Sequence, residues 1–275
     1  MELAGNKKIR SRWCGRMRGI MIFETHAHYD DDAFEEDREA VLKKVTDSGV
    51  AYIINVGSNM ESTEETLEYT RKYPFIYGAA GVHPSEADEL NETLFSRLQE
   101  IVKEDKILAV GEIGLDYYWD EPDRDIQKKW FVRQLALARE SRLPVIIHSR
   151  DAAKDTYDIM KAEKAEEIGG VIHCFSYGKE MAEMYLNMGF YLGIGGVVTF
   201  NNAKKLKEVV EYAPLERLVT ETDCPYLAPV PNRGKRNDSS NLVYVVDMIA
   251  ELKGMEREIV EQQLFENAKR LYRMQ

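Results

Sequence analysis

Short apolar runs alternate with amphipathic stretches along most of the chain. The run at 50–57 is nearly all apolar, which is typical of a strand covered on both faces. The stretch before it, 34–48, sets Ala40, Val41 and Val45 among charged residues, and this spacing predicts a helix. The same alternation continues to the end of the chain, so strands and helices are predicted to follow one another in turn.

Eight strands are predicted, each followed by a helix. The first two strands begin at Met21 and Val50, and the other six lie at 75–82, 106–112, 144–148, 170–175, 190–195 and 217–222. After the helix at 34–48, the predicted helices lie at 61–73, 86–104, 123–142, 151–168, 178–188, 201–212, 239–252 and 256–272. Eight such units in about 250 residues predict parallel strands closed into a (β/α)8 TIM barrel. An open doubly wound sheet is the alternative, although the chain lacks the glycine-rich dinucleotide motif.

The composition narrows the class of protein. Hydrophobic residues make up 44% of the chain, but no apolar run approaches the roughly 18 residues that span a membrane. Three cysteines are too few for a disulfide framework, which indicates a reducing compartment and predicts a cytoplasmic location. The net charge of −11 opposes general attraction to nucleic acid, so a phosphate-bearing substrate would need a local basic cluster or a metal.

Residues 1–20 differ in charge from the rest of the chain, with six basic residues and one acidic residue. The apolar stretch that follows them is too short for a signal peptide. We predict that they form a disordered basic extension or precede a true start at Met21, and a nucleic-acid-binding arm is the alternative. A single barrel domain is therefore predicted over residues 21–275.

Metal-binding residue types stand at the ends of the predicted strands. His26 and His28 end the first strand, and residues two apart on a strand share a face. The ends of five further strands carry His83, Glu112, His148, His173 and the triplet Glu221, Thr222, Asp223. Chemistry in a (β/α)8 barrel occurs at these strand ends, and histidines with structural roles would be spread over helices and loops as well. The distribution of all five histidines therefore predicts a metal site.

The predicted ligands divide between two divalent ions. His26, His28 and Asp223 could bind one ion, and His148 and His173 could bind the other. Glu112 could bridge the two ions. A pair of ions stabilises the attacking and leaving oxygens of a phosphodiester, or polarises an amide carbonyl, and activates water. The sequence therefore predicts metal-assisted hydrolysis, with Mg²⁺, Mn²⁺ or Zn²⁺ as the ions.

Five motifs, in this order, resemble those of the TatD family of metal-dependent deoxyribonucleases. They are GVHP at 81–84, GEIGLDYY at 111–118, HSRDA at 148–152, HCFS at 173–176 and ETDCPYLAP at 221–229. The resemblance runs from about residue 21 to the end of the chain and keeps register with the predicted strands. It implies a TIM barrel of the metal-dependent hydrolase type with two divalent ions.

The resemblance also implies roles for individual residues. The implied metal ligands are His26, His28, Glu112, His148, His173 and Asp223. Among them Glu112 is implied to bridge the ions and Asp223 to accept a proton, so these two are the predicted catalytic residues. The implied activity is 3′-5′ exonuclease cleavage of DNA that is single-stranded or has a recessed end. An amidohydrolase or deacylase using the same ions on an amide or aminoacyl ester is the alternative, and a complete ligand set disfavours a non-catalytic binding module.

A local basic cluster is predicted to contact the substrate phosphates. A loop that matches a family loop carries Arg233, Lys235 and Arg236, and Arg150 stands beside His148. His83 is predicted to contact the substrate as well. Two residues depart from the family pattern. Glu24 replaces the usual Asp before the first histidine pair, and Tyr177 replaces the usual Gly after HCFS, which is expected to affect substrate preference more than metal binding.

Overall fold

A computed structural model of the chain describes residues 21–119 and 121–275, so the predictions for residues 1–20 lie outside the described residues. Eight parallel strands lie side by side in the order of the chain. They are β1 (Ile22–Ala27), β2 (Val50–Val56), β3 (Ile76–Ala80), β4 (Ile107–Asp116), β5 (Val145–Arg150), β6 (Gly170–Ile172), β7 (Tyr191–Ile194) and β8 (Leu218–Thr220). This topology confirms the predicted (β/α)8 TIM barrel.

Helices connect the strands and surround the barrel. Within the described residues they are α1 (Arg38–Asp47), α2 (Met60–Lys72), α3 (Glu92–Ile101), α4 (Arg124–Ser141), α5 (Ala153–Ala162), α6 (Lys179–Asn187), α7 (Lys204–Tyr212), α8 (Leu242–Lys253) and α9 (Arg257–Leu271). None of these helices is long and apolar enough to cross a membrane.

Two predicted helices are divided in the structure. In place of the single helix predicted at 86–104, the structure has a 3-10 helix at Pro84–Glu89 and then α3. The side chain of Asn91 accepts hydrogen bonds from the backbone amides of Thr93 and Leu94, so it caps a new helix. The stretch 151–168 likewise divides into α5 and a 3-10 helix at Ala165–Glu167.

The inside of the barrel is filled with apolar side chains at the end opposite the metal-binding residues. Inward residues from seven strands pack in one cluster with residues of α9 and with Tyr272 directly after it. The cluster includes Phe23, Ile54, Ala79, Ala109, Ile146, Val171, Val219, Phe265 and Tyr272. Tyr272 Oη also donates a hydrogen bond to the backbone oxygen of Thr25 at 2.9 Å. The final helix therefore closes this end, and the polar residues remain at the other.

The barrel closes between β1 and the segment that follows β8. One isolated bridge joins Ala27 to Cys224, and the backbone amide of Asp223 donates to the carbonyl of His26 at 3.0 Å. The buried carboxylate of Glu24 adds side-chain hydrogen bonds, because it accepts from the Thr222 amide at 3.0 Å and from the Thr222 hydroxyl at 2.6 Å. We call this junction the β1–β8 seam. It fixes the strand-end residues of β1 and β8 relative to each other.

Candidate metal centre

Glu112 lies inside β4 and not at its end, because the strand continues to Asp116. The prediction that the fourth strand ends at Glu112 is therefore wrong. Gly114 allows the longer strand, since a Cβ there would lie 1.9 Å from the backbone oxygen of His148 on β5. Only glycine permits the two backbones to approach this closely, and the approach brings Glu112 and His148 together.

The Glu112 carboxylate lies at the centre of a group of imidazoles. Its oxygens are 2.7 Å from His148 Nδ1, 3.3 Å from His26 Nε2 and 3.7 Å from His173 Nε2. The side chain is only 5% exposed, so this carboxylate faces the imidazoles and not the solvent. Glu112 therefore lies between His26, a predicted ligand of the first ion, and His148 and His173, the predicted ligands of the second.

His26, His28 and Asp223 form one compact donor group. The two Nε2 atoms are 3.0 Å apart, and Asp223 Oδ1 is 3.8 Å from His26 Nε2 and 3.4 Å from His28 Nε2. Ligands bound 2.0–2.1 Å from one tetrahedral ion are separated by about 3.3 Å. The donor set of two imidazoles and a carboxylate therefore fits a divalent ion in both spacing and chemistry.

The second predicted pair, His148 and His173, meets at Glu112. His148 Nδ1 lies at hydrogen-bond distance from the carboxylate, while His173 Nε2 lies farther away and also 3.7 Å from Asp223 Oδ1. The His173 ring stacks on the His26 ring at 3.5 Å between centroids. His173 thus stands between the two halves of the set, and the assignment of His148 and His173 to a second ion stays a prediction.

Two acidic residues that sequence reasoning did not assign orient the histidines. Asp116 Oδ2 is 3.0 Å from His148 Nε2, which leaves Nδ1 directed toward Glu112. Glu221 Oε1 is 3.2 Å from His173 Nδ1, which leaves Nε2 directed toward the group. A carboxylate behind a metal-binding imidazole fixes the ring and raises its basicity. One signal for Asp116 was available, because residues four apart on a strand share a face and Asp116 follows Glu112 by four.

The opposite charges in the group shift the pKa values of its members strongly. Burial alone would lower the pKa of His28, but the Asp223 carboxylate outweighs burial and raises it to about 9. Burial also opposes the charge on His173, yet Glu221 and Glu112 raise its pKa to about 10. Burial would raise the pKa of Glu112, and the neighbouring histidines instead hold it well below its usual range. Without an ion, protons on the imidazoles compensate the carboxylates.

His83 lies at the edge of the group. Its Nε2 atom is 3.9 Å from Glu112 Oε1, and its ring meets the His148 ring edge to face at 4.3 Å. Burial, followed by the neighbouring His148, lowers the pKa of His83 to about 3, so this imidazole is neutral. The structure therefore brings His83 beside the predicted ligands.

The predicted phosphate-binding residues have contacts of their own. The guanidinium of Arg150 lies 3.8 Å from the centre of the Tyr118 ring, and that of Arg233 lies 4.3 Å from the centre of the Phe200 ring. Lys235 is exposed. Arg236 differs, because its guanidinium donates to both carboxylate oxygens of Asp37, at 2.9 and 2.6 Å. Its charge is thus neutralised locally, whereas no carboxylate pairs with Arg150 or Arg233 among the described residues.

The two departures from the family pattern occupy supporting positions. Glu24 accepts hydrogen bonds within the seam, from the His26 amide at 3.1 Å and from the amide and hydroxyl of Thr222. Tyr177 Oη donates to the backbone oxygen of Ser149 at 2.9 Å, directly after His148. Both residues act on the backbone that carries predicted ligands.

The chain is similar to known proteins over nearly the whole of the described barrel. The family model described as TatD related DNase matches residues 23–273. The uncharacterized metal-dependent hydrolase YabD of Bacillus subtilis is 46% identical over 254 residues, which cover 92% of this chain and 100% of that protein. The 3′-5′ ssDNA/RNA exonuclease TatD of Rahnella sp. is 30% identical over 257 residues, which cover 91% of this chain and 98% of that protein.

A solved structure has the same architecture. The crystal structure of YJJV, a TatD homolog from Escherichia coli K12, superposes with a TM-score of 0.87 at 31% sequence identity and covers 92% of this chain and 98% of that chain. The predicted family is confirmed by matches that span nearly the whole barrel. The chain belongs to the TatD-related DNase family, and it is a metal-dependent hydrolase.

Proposed function

We propose that this enzyme is a 3′-5′ exonuclease that hydrolyses phosphodiester bonds of single-stranded DNA, with two divalent ions in the candidate metal centre. The observation that carries the proposal is the convergence of five histidines and two carboxylates at one end of the barrel. The similarity to a protein named as a 3′-5′ ssDNA/RNA exonuclease supports the choice of substrate.

The residues of the centre have distinct parts in the proposed reaction. His26, His28 and Asp223 would hold one ion, and His148 and His173 the other, with Glu112 between them. Bound divalent ions would polarise a phosphoryl oxygen and lower the pKa of a water molecule. Asp223 is the proposed acceptor of the proton from that water, because its side chain is 19% exposed while that of Glu112 is 5% exposed. Asp223 is thus reached from the open end of the barrel.

Exposed aromatic side chains support a single-stranded substrate. Tyr118 and Trp119 follow β4, Tyr226 follows β8, and each is more than half exposed. The fourth and eighth strands stand on opposite sides of an eight-stranded barrel, so aromatic rings flank the centre on two sides. Unpaired bases stack on such rings, and each stacked base contributes about 1–3 kcal/mol. A duplex would not offer its base faces to them.

Substitution of these aromatic residues tests the choice of substrate. Trp119→Ala and Tyr226→Ala are expected to raise KM for 3′-labelled single-stranded DNA about tenfold more than KM for bis(p-nitrophenyl) phosphate. Tyr212→Ala is the control, because this exposed tyrosine ends α7 on the segment that leads to the start of β8. Equal increases in KM for both substrates would contradict base stacking on these rings. Trimming of 5′-labelled and not 3′-labelled ends would reverse the proposed polarity.

A further inference from the structure

His83 differs from its neighbours in the protonation of the ring nitrogen that it presents to the metal centre. His28 Nδ1 lies 2.8 Å from the carbonyl oxygen of Val56, which can only accept, so Val56 holds a proton on Nδ1 and a metal ion would displace the proton on Nε2. His148 Nε2 lies 3.0 Å from Asp116 Oδ2 and its Nδ1 lies 2.7 Å from Glu112 Oε1. Asp116 therefore holds the Nε2 proton, and Nδ1 is the nitrogen that a metal ion would take from its contact with Glu112. In both rings the nitrogen that faces the other ligands becomes a metal donor once an ion displaces its proton, because the second nitrogen keeps a proton on its own acceptor.

The arrangement is reversed in His83. The backbone amide of Ser85 donates a hydrogen bond to His83 Nδ1 at 3.1 Å, and the Ser85 hydroxyl lies 2.8 Å from the same nitrogen. A backbone amide can only donate, so Nδ1 has the lone pair and the neutral ring has its proton on Nε2. This Nε2–H faces Glu112 from 3.9 Å, which is too far for a hydrogen bond. No other acceptor reaches it among residues 21–119 and 121–275.

This tautomer excludes two roles for His83. Its Nε2 has no lone pair for a metal, although His83, Asp116 and His148 lie close enough together to resemble a ligand group. A proton shuttle is also excluded. Release of the Nε2 proton would leave an imidazolate, and protonation of Nδ1 would displace the Ser85 amide. The remaining chemistry is that of a neutral hydrogen-bond donor.

We propose that His83 Nε2–H donates a hydrogen bond to a non-bridging oxygen of the scissile phosphoryl group as negative charge builds up on it. The inference rests on the proposed phosphodiesterase function and adds a catalytic residue to it. The donor is held in place before the substrate arrives, because the ring caps the 3-10 helix at Pro84–Glu89 and packs against His148. The side chain is 16% exposed, so a substrate in the mouth of the barrel can reach it. A fixed donor of this kind needs no reorganisation during the reaction.

Two substitutions separate a donor from a ligand. His83→Ala is expected to lower kcat on bis(p-nitrophenyl) phosphate about 100-fold, with little change in KM and no loss of bound metal. His83→Gln keeps an N–H near the position of Nε2 and is expected to stay within about tenfold of wild-type kcat. His28→Ala is the comparison, because loss of a predicted ligand should lower metal content. Loss of metal from His83→Ala, or equal loss of kcat in the Ala and Gln variants, would overturn the proposal.

A spectrum of the wild-type enzyme tests the tautomer without relying on activity. In the Zn²⁺-loaded protein labelled with ¹⁵N-histidine, long-range ¹H–¹⁵N correlations distinguish the two tautomers, and His83→Gln identifies the His83 signals. We expect the Nε2–H form for His83 and the Nδ1–H form for His28. An Nδ1–H form, or a His83 ring whose signals show a bound metal, would contradict the inference. Failure of the wild type to cleave any phosphodiester would instead overturn the proposed function, and the spectrum would still decide the tautomer.

Discussion

At the scale of single residues, the candidate centre depends on the groups behind the histidines as much as on the histidines themselves. Asp116 and Glu221 contact ring nitrogens that point away from the other ligands, so each fixes the orientation of one imidazole. Asp116 is buried, and its second oxygen accepts from the Tyr118 amide at 2.9 Å. The loop after β4 is thereby tied to the metal centre.

Replacement of Asp116 should weaken metal binding without removing a ligand. We expect Asp116→Asn to reduce metal affinity about 10- to 100-fold, because an amide supports the His148 ring less well than a carboxylate does. Isothermal titration of the metal-free variant measures the change. Asp125→Asn, on the first turn of α4, is a control of the same chemistry. Unchanged affinity in Asp116→Asn would show that Asp116 does not support His148.

Metal binding should release protons at neutral pH. In the metal-free protein the pKa of His28 is raised to about 9 and that of His173 to about 10, so both rings are protonated at pH 7. An ion must displace these protons, and apparent affinity therefore rises as pH increases toward these pKa values. Calorimetric titration at pH 7 in two buffers of different ionisation enthalpy measures the release. Equal binding enthalpies in both buffers would contradict it.

The residue types of the centre could be predicted from the sequence, but the partners of each ring could not. Histidines at strand ends can be recognised as candidate ligands, because a (β/α)8 barrel directs those ends to one face. Glu221 stood among the strand-end residues, but its partner was not predicted. Its contact with His173 depends on the relative height of β6 and β8, which sequence spacing does not determine. The contact between His83 and Ser85 could not be predicted either, because it forms only when the chain turns into a 3-10 helix.

At the scale of elements, the β1–β8 seam is the weakest part of the ladder and carries ligands on both sides. Every other neighbouring pair of strands has at least two paired residues, whereas this junction has one isolated bridge. Side chains compensate for the missing ladder bonds. Thr25 Oγ1 donates to the Thr220 carbonyl at 2.9 Å, and Thr222 donates twice to Glu24. The distance between His26 and Asp223 therefore depends on buried polar groups.

Removal of the Thr222 hydroxyl should open this junction. Thr222→Val keeps the shape of the side chain but leaves one Glu24 oxygen without its donor, at an expected cost of about 1–3 kcal/mol in the free energy of unfolding. Chemical denaturation measures it. Thr46→Val is the control, because the Thr46 hydroxyl bonds only to its own helix and should change stability by less than about 0.5 kcal/mol. Equal stability of both variants would contradict the role of the seam.

The order and type of the elements could be predicted from periodicity, but their ends depend on local contacts. The strand predicted at 217–222 is only three residues long in the structure, and Glu221, directly after it, directs its carboxylate toward His173. The strand predicted at 106–112 is longer, because Gly114 lets β4 stay against β5. Both departures occur at the metal centre, where the contacts of individual residues determine the strand ends more than the periodicity of the sequence does.

At the scale of the whole molecule, a net charge of −11 repels a polyanionic substrate. Bound cations and a few basic side chains near the mouth must therefore supply the attraction. Arg233 is expected to contribute more than Arg236, since Asp37 neutralises the latter. The acidic surface and a local basic loop together favour binding at one place on the barrel.

Salt dependence measures these phosphate contacts. Arg233→Ala should weaken binding of single-stranded DNA and reduce the slope of log affinity against log salt by about 0.7. Metal content should stay unchanged, because the ligands lie on other residues. Arg97→Ala, on α3 and paired with Glu64, is the control. An unchanged slope in Arg233→Ala would place the phosphate contact elsewhere.

The most direct test of the central claim is metal-dependent cleavage of DNA by the stripped and reconstituted enzyme. Metal-free wild type and Glu112→Gln receive increasing equivalents of Mg²⁺, Mn²⁺ or Zn²⁺ with 3′- or 5′-labelled single-stranded DNA, alongside a panel of amides and aminoacyl esters. We predict that wild type shortens the DNA from its 3′ end, with a rate that stops rising near two equivalents, and that Glu112→Gln is inactive at every equivalent. Intact DNA at all metal levels with cleavage of an amide or ester, or full activity of Glu112→Gln, would contradict the account.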